Sequence, residues 1–534
     1  MKERLYRAAI AAIVNTVIAV AFDALSAASS MAAAIPILTY HYDNARSGAN
    51  TSETILTPAN VNMTQFGKLF SVPVDSGIYA QPLYVPNLSI PGLGIHNVVY
   101  VATQHNYLYA FDADNGATLW SVKLGPYQPN PQNCAVPGDI GIIGTPVIRP
   151  STNTIYAVAA TLRNGTPQQE LHALDITTGA EQPHSPMVIT ARVPGTGVGS
   201  VGGMLTFDPV AEFQRPALLF DNGMVYIGFA SHCGFKPFSD QGHGWLFAYN
   251  ASTLQLKSSF VVTPNGFGGG IWASGGGPAA DANNNIYFST GDGTFDVDQG
   301  GIDYGDSVLK LSPITLSLLD YFTPYNQATL VANEKDLGSG GVTLLPNQST
   351  SPPHLMVTAG KMGVVYLINQ DSLGHYSTTT NHVVQELSSA LKGLYGTPTF
   401  WHNNLYFAGS AYGGADSPKA FSLSGGLISR NPTSQAAITY PFPGAVTVVS
   451  ANGQAAGILW ALQHGGTASG NEVLHAYSAT NLANELYNSD QAGTRDLPGP
   501  VGKEFESIIV DNGKVYVPTS GQPQLSVFGL LPAQ

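Results

Sequence analysis

The chain has 534 residues, of which 44% are hydrophobic and only 10% are Asp, Glu, Lys or Arg, and its formal net charge is −13. Soluble domains usually carry about 25% charged residues, so most of this surface must be built from uncharged polar side chains. The negative charge and the lack of a basic cluster argue against a nucleic-acid-binding protein. Few ionisable groups limit self-repulsion in acid, so we interpret the composition as acid adaptation; a low-charge protein from a neutral habitat is the alternative.

The first 34 residues have the layout of a secretory signal peptide. A basic start is followed by a mainly apolar run over residues 8–22, and Ala32–Ala34 offer a small-residue cleavage site. The apolar run is short for a membrane span. We therefore expect residues 1–34 to be removed on export and residues 35–534 to form one domain. The expected location is the periplasm, free or associated with the outer membrane.

Two cysteines remain after this segment, Cys134 and Cys233. In an exported protein they can form one disulfide. Two buried thiols are equally consistent with the sequence, and the alternatives stay open here.

A pattern of two short β runs joined by a turn recurs eight times. The first runs begin near residues 98, 154, 224, 285, 354, 404, 457 and 514, and six of them place Tyr at the same point: Tyr100, Tyr156, Tyr226, Tyr287, Tyr406 and Tyr516. The second runs, such as Leu108–Asp112, end in Asp, Asn and Gly turns, which is the pattern of hairpins. Because one small sheet cannot bury both of its faces, the repeats predict radial stacking of blades in a β-propeller.

The two ends of the chain indicate how the ring closes. Residues 504–529 contain only three strand-like runs, and residues 66–74 form an unpaired run near the N-terminus. The N-terminal run can supply the missing fourth strand and remove an exposed edge. We predict an all-β, eight-bladed propeller of four-stranded blades closed in this way; a seven-bladed ring with a spare segment is the alternative.

The repeat VVYVATQHNYLYAFDADNGATLW at residues 98–120 resembles the repeat of the pyrroloquinoline quinone (PQQ) enzymes. The opening HYDNARSGAN and the later STGDGTFD, YGDSVLKLS and DLGSGG resemble exported bacterial propellers of this kind. The resemblance implies an eight-bladed propeller. One branch of this general type is the tetrathionate hydrolases of acidophilic sulfur-oxidising bacteria, which implies an exported, acid-active homodimer that acts on a small inorganic sulfur anion without a cofactor or metal.

Candidate chemistry lies in the long connections between blades, since loops of this length in a compact ring are usually functional. The favoured residue is Asp336, at the approach to the fifth blade, where the resemblance implies a general acid; Asp306 and Asp303 are the other catalytic candidates. Lys335 and Lys361 are candidate anion contacts. Gly340 and Gly341 would let a substrate approach the backbone.

Two other functions remain open. A PQQ-dependent dehydrogenase with calcium is the first, although the chain lacks the two adjacent cysteines that the resemblance to quinoprotein alcohol dehydrogenases implies. A non-catalytic scaffold resembling outer-membrane assembly propellers is the second. The stretch Gly291–Asp298 lacks the ligand spacing of a calcium loop and is interpreted as a polar turn.

Overall fold

A computed structural model describes residues 34–130, 136–231, 242–412, 414–465, 467, 470–502 and 505–532. The described chain is nearly all β and forms eight four-stranded blades in a propeller ring, which confirms the predicted fold class. The proposed signal peptide, apart from its last residue, lies outside the described residues, as do Cys134 and Cys233. No helix among the described residues is long and apolar enough to cross a bilayer.

Each blade is an antiparallel sheet, and in blades 1 to 7 the strands follow chain order. The strands of blades 1 to 4 are Leu83–Ile90, Gly94–Ala102, Tyr107–Asp112 and Thr118–Lys123; Val147–Arg149, Thr154–Arg163, Thr166–Asp175 and Met187–Val188; Leu219–Asp221, Met224–Ser231, Trp245–Asn250 and Leu256–Val261; and Ala279–Ala280, Ile286–Ser289, Val308–Leu311 and Leu318–Phe322. A short strand, Glu212–Phe213, also pairs with the second strand of blade 3.

The strands of blades 5 to 8 are Val342–Leu344, Leu355–Ala359, Val365–Asn369 and Gln385–Leu387; Thr399–Trp401, Asn404–Phe407, Lys419–Ser424 and the pair Leu427–Ile428 and Ser434–Gln435; Thr447–Asn452, Ala455–Gln463, Val473–Ser478 and Glu485–Asn488; and Ile509–Asp511, Lys514–Thr519, Gln524–Leu530 and Phe66–Pro73. Outside the blades are the hairpins Arg192–Pro194 with Met204–Thr206 and Ser410–Ala411 with Gly414–Ala415, the strand Ala49–Asn50, the α-helix Gln327–Ala332 and the 3₁₀ turns Pro150–Thr152, Ala273–Gly275, Val297–Gln299, Leu337–Ser339 and Ser489–Arg495.

The ring closes as the sequence predicts. Phe66–Pro73 pairs antiparallel with Gln524–Leu530, in register from Phe66 opposite Leu530 to Pro73 opposite Gln524. Phe66 is fully buried against the rings of Trp460, Tyr487 and Phe528. An N-terminal strand therefore completes the last blade, and its aromatic anchor ties that blade to blade 7.

The repeated tyrosines join neighbouring blades. The hydroxyl of Tyr156 donates to the carbonyl oxygen of Ala251 in blade 3 at 2.8 Å. The same contact, to the carbonyl that follows the third strand of the next blade, recurs for Tyr100, Tyr406 and Tyr516 at 3.0, 2.8 and 3.4 Å, and Tyr516 reaches from blade 8 to blade 1. A buried hydroxyl needs a hydrogen-bond partner. The tyrosine that recurs in the sequence therefore marks a hydrogen bond between neighbouring blades, which we call the tyrosine latch.

Residues 35–53, which we call the axial strap, contact all eight blades. Hydrogen bonds join the strap to the first strand, or to the residue just before it, in each blade; the partners from blade 1 to blade 8 are Tyr84, Ile148, Leu218, Ala280, Leu344, Phe400, Val449 and Val510. A segment this short reaches every first strand only if those strands surround one axis. The first strands are therefore innermost, and the strap lies across the axis.

Two strap side chains fill the centre. Tyr40 packs against Ala217 of the approach to blade 3 and Val446 of the approach to blade 7, on opposite sides of the ring. Arg46 is 0% exposed and donates to the carbonyls of Pro278 and Leu218. Burial lowers the pKa of Arg46 to about 10, although nearby Asp43 opposes the shift. The strap closes the ring at this end.

Candidate functional site

The candidate site lies at the other end of the first strands. The strap bonds to Ala280 and Leu344, which end the first strands of blades 4 and 5. Asp336 lies in the connection that precedes the first strand of blade 5. This end of the ring also holds the loops between second and third strands, and two of those loops supply the other charged groups described below.

Three carboxylates and one ammonium group meet at the junction of blades 4 and 5. Asp292 and Asp306 lie near the two ends of the loop between the second and third strands of blade 4, and Lys361 follows the second strand of blade 5. Single oxygen atoms of Asp292, Asp306 and Asp336 lie within 4.8 Å of one another. We call these four residues the carboxylate cluster. The structure thus brings the predicted residues Asp336, Asp306 and Lys361 into one group.

Asp336 is at the centre of the cluster. Its Oδ1 accepts a hydrogen bond from the backbone N–H of Asp292 at 2.7 Å, and its Oδ2 contacts Nζ of Lys361. The backbone N–H of Leu337, next to Asp336, donates to Oδ1 of Asp306 at 3.1 Å. Asp306 has a φ of +49°, a left-handed conformation that is uncommon for a residue with a side chain. Such backbone strain persists only where the surroundings fix it.

The electrostatics of the cluster are strongly perturbed. Burial, followed by the nearby charges of Asp336 and Asp306, raises the pKa of Asp292 to about 10. Burial and Asp336 also raise the pKa of Asp306 well above its usual range. Burial alone would lower the pKa of Lys361, but Asp336 and Asp292 raise it to about 12, so this ammonium is charged in acid and at neutral pH.

Two oxygen atoms of the cluster have no hydrogen-bond partner among the described residues. They are Oδ1 of Asp292 and Oδ2 of Asp306, and both atoms are buried. Leaving a buried carboxylate oxygen unsatisfied is costly. The two oxygens therefore either share protons within the cluster, in line with the side-chain hydrogen bond between Asp292 and Asp306 that acts on the pKa of Asp306, or face a bound cation.

An aromatic surface lies beside the carboxylates. A Cβ added to Gly291 would come within 2.7 Å of Oδ1 of Asp336 and 3.0 Å of Cδ1 of Trp272, so the indole and the carboxylate border the same small space. Trp272 is half-buried and its ring lies 6.4 Å from that of Phe213. Glycine at 291 is needed because any side chain would fill this space.

A second aromatic group continues round the ring. The guanidinium of Arg215 lies 4.5 Å from the ring centre of Phe505, and that ring is 6.2 Å from Tyr395. Tyr395 in turn acts electrostatically on Lys361. The approaches to blades 3, 6 and 8 thus line the same end of the propeller with aromatic rings and a buried cation, a composition suited to a planar, anionic ligand.

The structure separates the remaining predicted residues from the cluster. Lys335 is exposed and adjacent to Asp336 in sequence, but among the described residues the ion pair of Asp336 is with Lys361. Asp303 accepts a hydrogen bond from the backbone of Asn265 at 2.9 Å and receives no contact from Asp336; burial raises its pKa to about 6. Asp303 therefore belongs to a loop-bracing network, and its predicted catalytic role is not supported by its position.

The expected role of Gly340 and Gly341 is corrected. A Cβ at Gly340 would lie 2.0 Å from the carbonyl oxygen of Ala359, and one at Gly341 would lie 2.3 Å from Oγ1 of Thr397. The space beside Gly340 is filled by the second strand of blade 5, and the space beside Gly341 by the approach to blade 6. These glycines permit tight packing of blade 5, and they do not leave the backbone open to a substrate.

Sequence reasoning missed Asp292, Trp272 and Arg215. Asp292 was assigned to a polar turn because its neighbours lack calcium-loop spacing. The available signal was the pair Asp292-Gly293 directly after a buried strand, at the same end of its blade as Asp306. Arg215 stands out among the 21 Lys and Arg residues of the chain because the apolar run Pro216–Phe220 follows it directly.

The comparisons with known proteins support the fold alone. No protein-family model matches the sequence, and no curated protein matches it. The quinohemoprotein alcohol dehydrogenase of Comamonas testosteroni is similar over 93% of this chain and 82% of its own, with a TM-score of 0.56 and 15% identity. A europium-containing methanol dehydrogenase is similar over 93% of this chain and 98% of its own, with a TM-score of 0.58 and 14% identity. The chain therefore shares the eight-bladed propeller architecture of these dehydrogenases.

Proposed function

We propose that the protein is a quinone-dependent dehydrogenase of alcohols, sugars or polymers that binds a divalent cation at the carboxylate cluster. The observation that carries the proposal is the pair of unpartnered buried oxygens on Asp292 and Asp306, next to Asp336 and Lys361. When ionised, three carboxylates and one ammonium leave two negative charges. A divalent cation with oxygen ligands, such as calcium, balances that charge and satisfies both oxygens.

The surroundings also fit a PQQ-like quinone. Trp272 offers a half-buried aromatic surface next to Asp336, and Lys361 and Arg215 supply positive charge for the carboxylates of such a ring. The similarity to two alcohol-oxidising dehydrogenases agrees with this assignment. The lack of adjacent cysteines remains a departure from the quinoprotein alcohol dehydrogenases.

The residues of the cluster have separate roles in this proposal. The bound quinone supplies the two-electron acceptor. Asp336 accepts the proton of the substrate hydroxyl at Oδ1 or Oδ2, while Lys361 holds its carboxylate in place. Asp292 and Asp306 would hold the cation. The strap keeps the far end of the axis closed, so substrate enters from the side of Trp272.

Dye reduction by the purified protein tests the proposal. The protein would be incubated with PQQ and Ca²⁺, and reduction of an electron-accepting dye would be followed with an alcohol or sugar as substrate. We expect Asp336→Asn to lower kcat by at least about 100-fold, the usual contribution of a general base. Asp298→Asn, which changes an exposed residue of the neighbouring loop, is the matched control. A dehydrogenase that keeps full activity in Asp336→Asn would remove this residue from the mechanism.

A second candidate, hydrolysis of tetrathionate, is favoured by the protons on Asp292 and Asp306. Neutral carboxyl groups beside the charged Lys361 form a site that accepts a dianion in acid. A carboxyl group of the cluster donates a proton to the departing sulfur group as water attacks. Tetrathionate and water then give thiosulfate, sulfate, one sulfur atom and two protons.

One assay separates the two candidates. Tetrathionate would be supplied at about pH 3, below the usual carboxyl pKa values, without quinone, and thiosulfate would be measured. Thiosulfate release that Lys361→Gln abolishes and Lys335→Gln leaves intact supports the hydrolase. Activity only with PQQ and Ca²⁺ supports the dehydrogenase. Inactivity in both assays supports the scaffold. Export, outer-membrane association and a homodimeric state stay predictions.

A further inference from the structure

A second cluster of metal-ligating side chains lies at the junction of blades 7 and 8. It consists of His464, Glu472 and Glu506, all three buried, with one ligand atom of each within 4.8 Å of the others. His464 and Glu472 begin and end the loop between the second and third strands of blade 7. Glu506 lies in the connection to blade 8, three residues before its first strand.

This arrangement repeats the architecture of the carboxylate cluster. His464 and Glu472 occupy the loop positions that Asp292 and Asp306 occupy in blade 4, and Glu506 corresponds to Asp336 in the connection to the next blade. The position of Lys361, after the second strand of the following blade, is taken by Ser520. Its hydroxyl donates to Oε1 of Glu506 at 2.5 Å. The second cluster therefore has a neutral hydroxyl where the first has an ammonium.

The hydrogen bonds of the second cluster leave its carboxylates incompletely satisfied. Nδ1 of His464 lies 3.3 Å from Oε1 of Glu472 and 3.4 Å from Oε2 of Glu506, and one ring nitrogen has a single hydrogen to share between them. Oε1 of Glu472 also accepts from the backbone of Gly502 at 3.1 Å. Oε2 of Glu472 is buried and has no partner among the described residues.

The charges point to a cation. Both glutamates are 0% exposed, and no Lys or Arg among the described residues forms an ion pair with either of them. Two carboxylates buried together are unfavourable unless positive charge lies between them. A protonated His464 would offset only one of their two negative charges. One imidazole nitrogen and two carboxylates are ligands of divalent transition metals, whereas Ca²⁺ and Mg²⁺ prefer sites made of oxygen alone.

We infer that His464, Glu472 and Glu506 form a second, structural metal site that binds a divalent transition-metal ion such as Zn²⁺ or Mn²⁺ and joins blade 7 to blade 8. The ion binds the lone pair on Nδ1 of His464, whose single ring hydrogen then lies on Nε2, and is ligated by Oε2 of Glu472. Its place next to the blade that the N-terminal strand completes gives it a role in ring closure. The inference does not depend on the proposed function, because it uses no residue of the carboxylate cluster.

Calorimetric titration of the metal-depleted protein with Zn²⁺ tests the inference. Excess Ca²⁺ would be present throughout, because it fills any oxygen-only site such as the carboxylate cluster. We expect one Zn²⁺ to bind per chain and to raise the unfolding temperature. His464→Gln and Glu472→Gln should each weaken binding by more than the roughly 10- to 100-fold that loss of an outer hydrogen-bond partner costs.

His354→Gln is the matched control, since it removes a partly exposed imidazole of blade 5 that belongs to neither cluster and should leave Zn²⁺ binding unchanged. The far-ultraviolet circular dichroism of each variant would be compared with that of the parent, and Glu506→Gln would replace any variant that fails to fold. Absence of Zn²⁺ and Mn²⁺ binding to the parent protein overturns the inference. Binding of equal affinity in the parent and His464→Gln also overturns it.

Discussion

Asp511 should make the protein less stable as the pH rises from acid to neutral. Its carboxyl is 1% exposed in the first strand of blade 8, where Oδ1 accepts from Nδ2 of Asn50 at 2.8 Å and from the backbone of Ile35 at 3.4 Å. Oδ2 is buried and has no partner among the described residues. Burial, with a further contribution from the charge of Glu53, raises the pKa of Asp511 to about 7 against an ordinary value of 3.8.

The sign of the effect follows from proton binding. Between pH 4 and pH 7 the folded protein keeps the Asp511 proton and the unfolded chain releases it. Stability from this group is therefore complete below the unfolded pKa and is lost as the pH rises through the folded one. Raising the pKa of Asp511 from 3.8 to about 7 corresponds, at 1.36 kcal/mol per pKa unit, to at most roughly 4 kcal/mol of the free energy of unfolding.

Urea unfolding of Asp511→Asn at acid and alkaline pH measures this contribution. An asparagine keeps the shape and the bond from Asn50 but cannot ionise. Near pH 8 we expect the variant to exceed the parent in free energy of unfolding by up to about 4 kcal/mol, and near pH 4 the two should differ by much less. Asp298→Asn, an exposed change, should show no such pH dependence. An equal difference between Asp511→Asn and the parent at both pH values would refute the reasoning.

Three further substitutions test the ring. Arg46→Met should destabilise the protein by roughly 2–6 kcal/mol, at about 1–3 kcal/mol for each of the two buried carbonyls, those of Pro278 and Leu218, that lose their donor; thermal unfolding measures it, and an unchanged midpoint would contradict the central role of the strap. Phe66→Ala removes the buried anchor of the closing strand and should cost about 3–5 kcal/mol in urea unfolding, whereas a loss below 1 kcal/mol would mean that the strand is dispensable. Tyr156→Phe removes one latch between blades and should cost about 1 kcal/mol; a neutral result in the same assay would assign the repeated tyrosine to packing alone.

The blades could be predicted from sequence because their signals are local. The Tyr at a fixed point of six repeats, the Asp, Asn and Gly turns, and the unpaired run at residues 66–74 each lie within a few residues of the strands they define. Each strand buries its apolar residues against a neighbouring strand or blade. The count of eight and the closing strand follow directly from that pattern.

The site was less predictable because it is assembled across blades. Asp336 and Lys361 could be proposed from the approach to blade 5, but Asp292 joins them only after blades 4 and 5 are placed side by side. Proximity in sequence to Asp336 suggests Lys335 as an anion contact. In the structure Asp336 is buried in the cluster, whereas Lys335 is exposed. The axial strap could not be predicted from the sequence either. Its hydrogen-bond partners are spread over nearly 430 positions of the chain, from Tyr84 to Val510, so no local pattern marks it.

The axial strap has a consequence for how the chain folds. Ile35 bonds to Asp511, a partner 476 positions later, so this contact forms only once the first strand of the last blade is in place. Closing loops of that length lowers the folding rate, because chain entropy is lost before the contact repays it. The segment that leaves the ribosome early is thus among the last to find its native place. Until it does, the inner strands of the ring lack their shared partner, and the blades should acquire their full resistance to unfolding together in that final step.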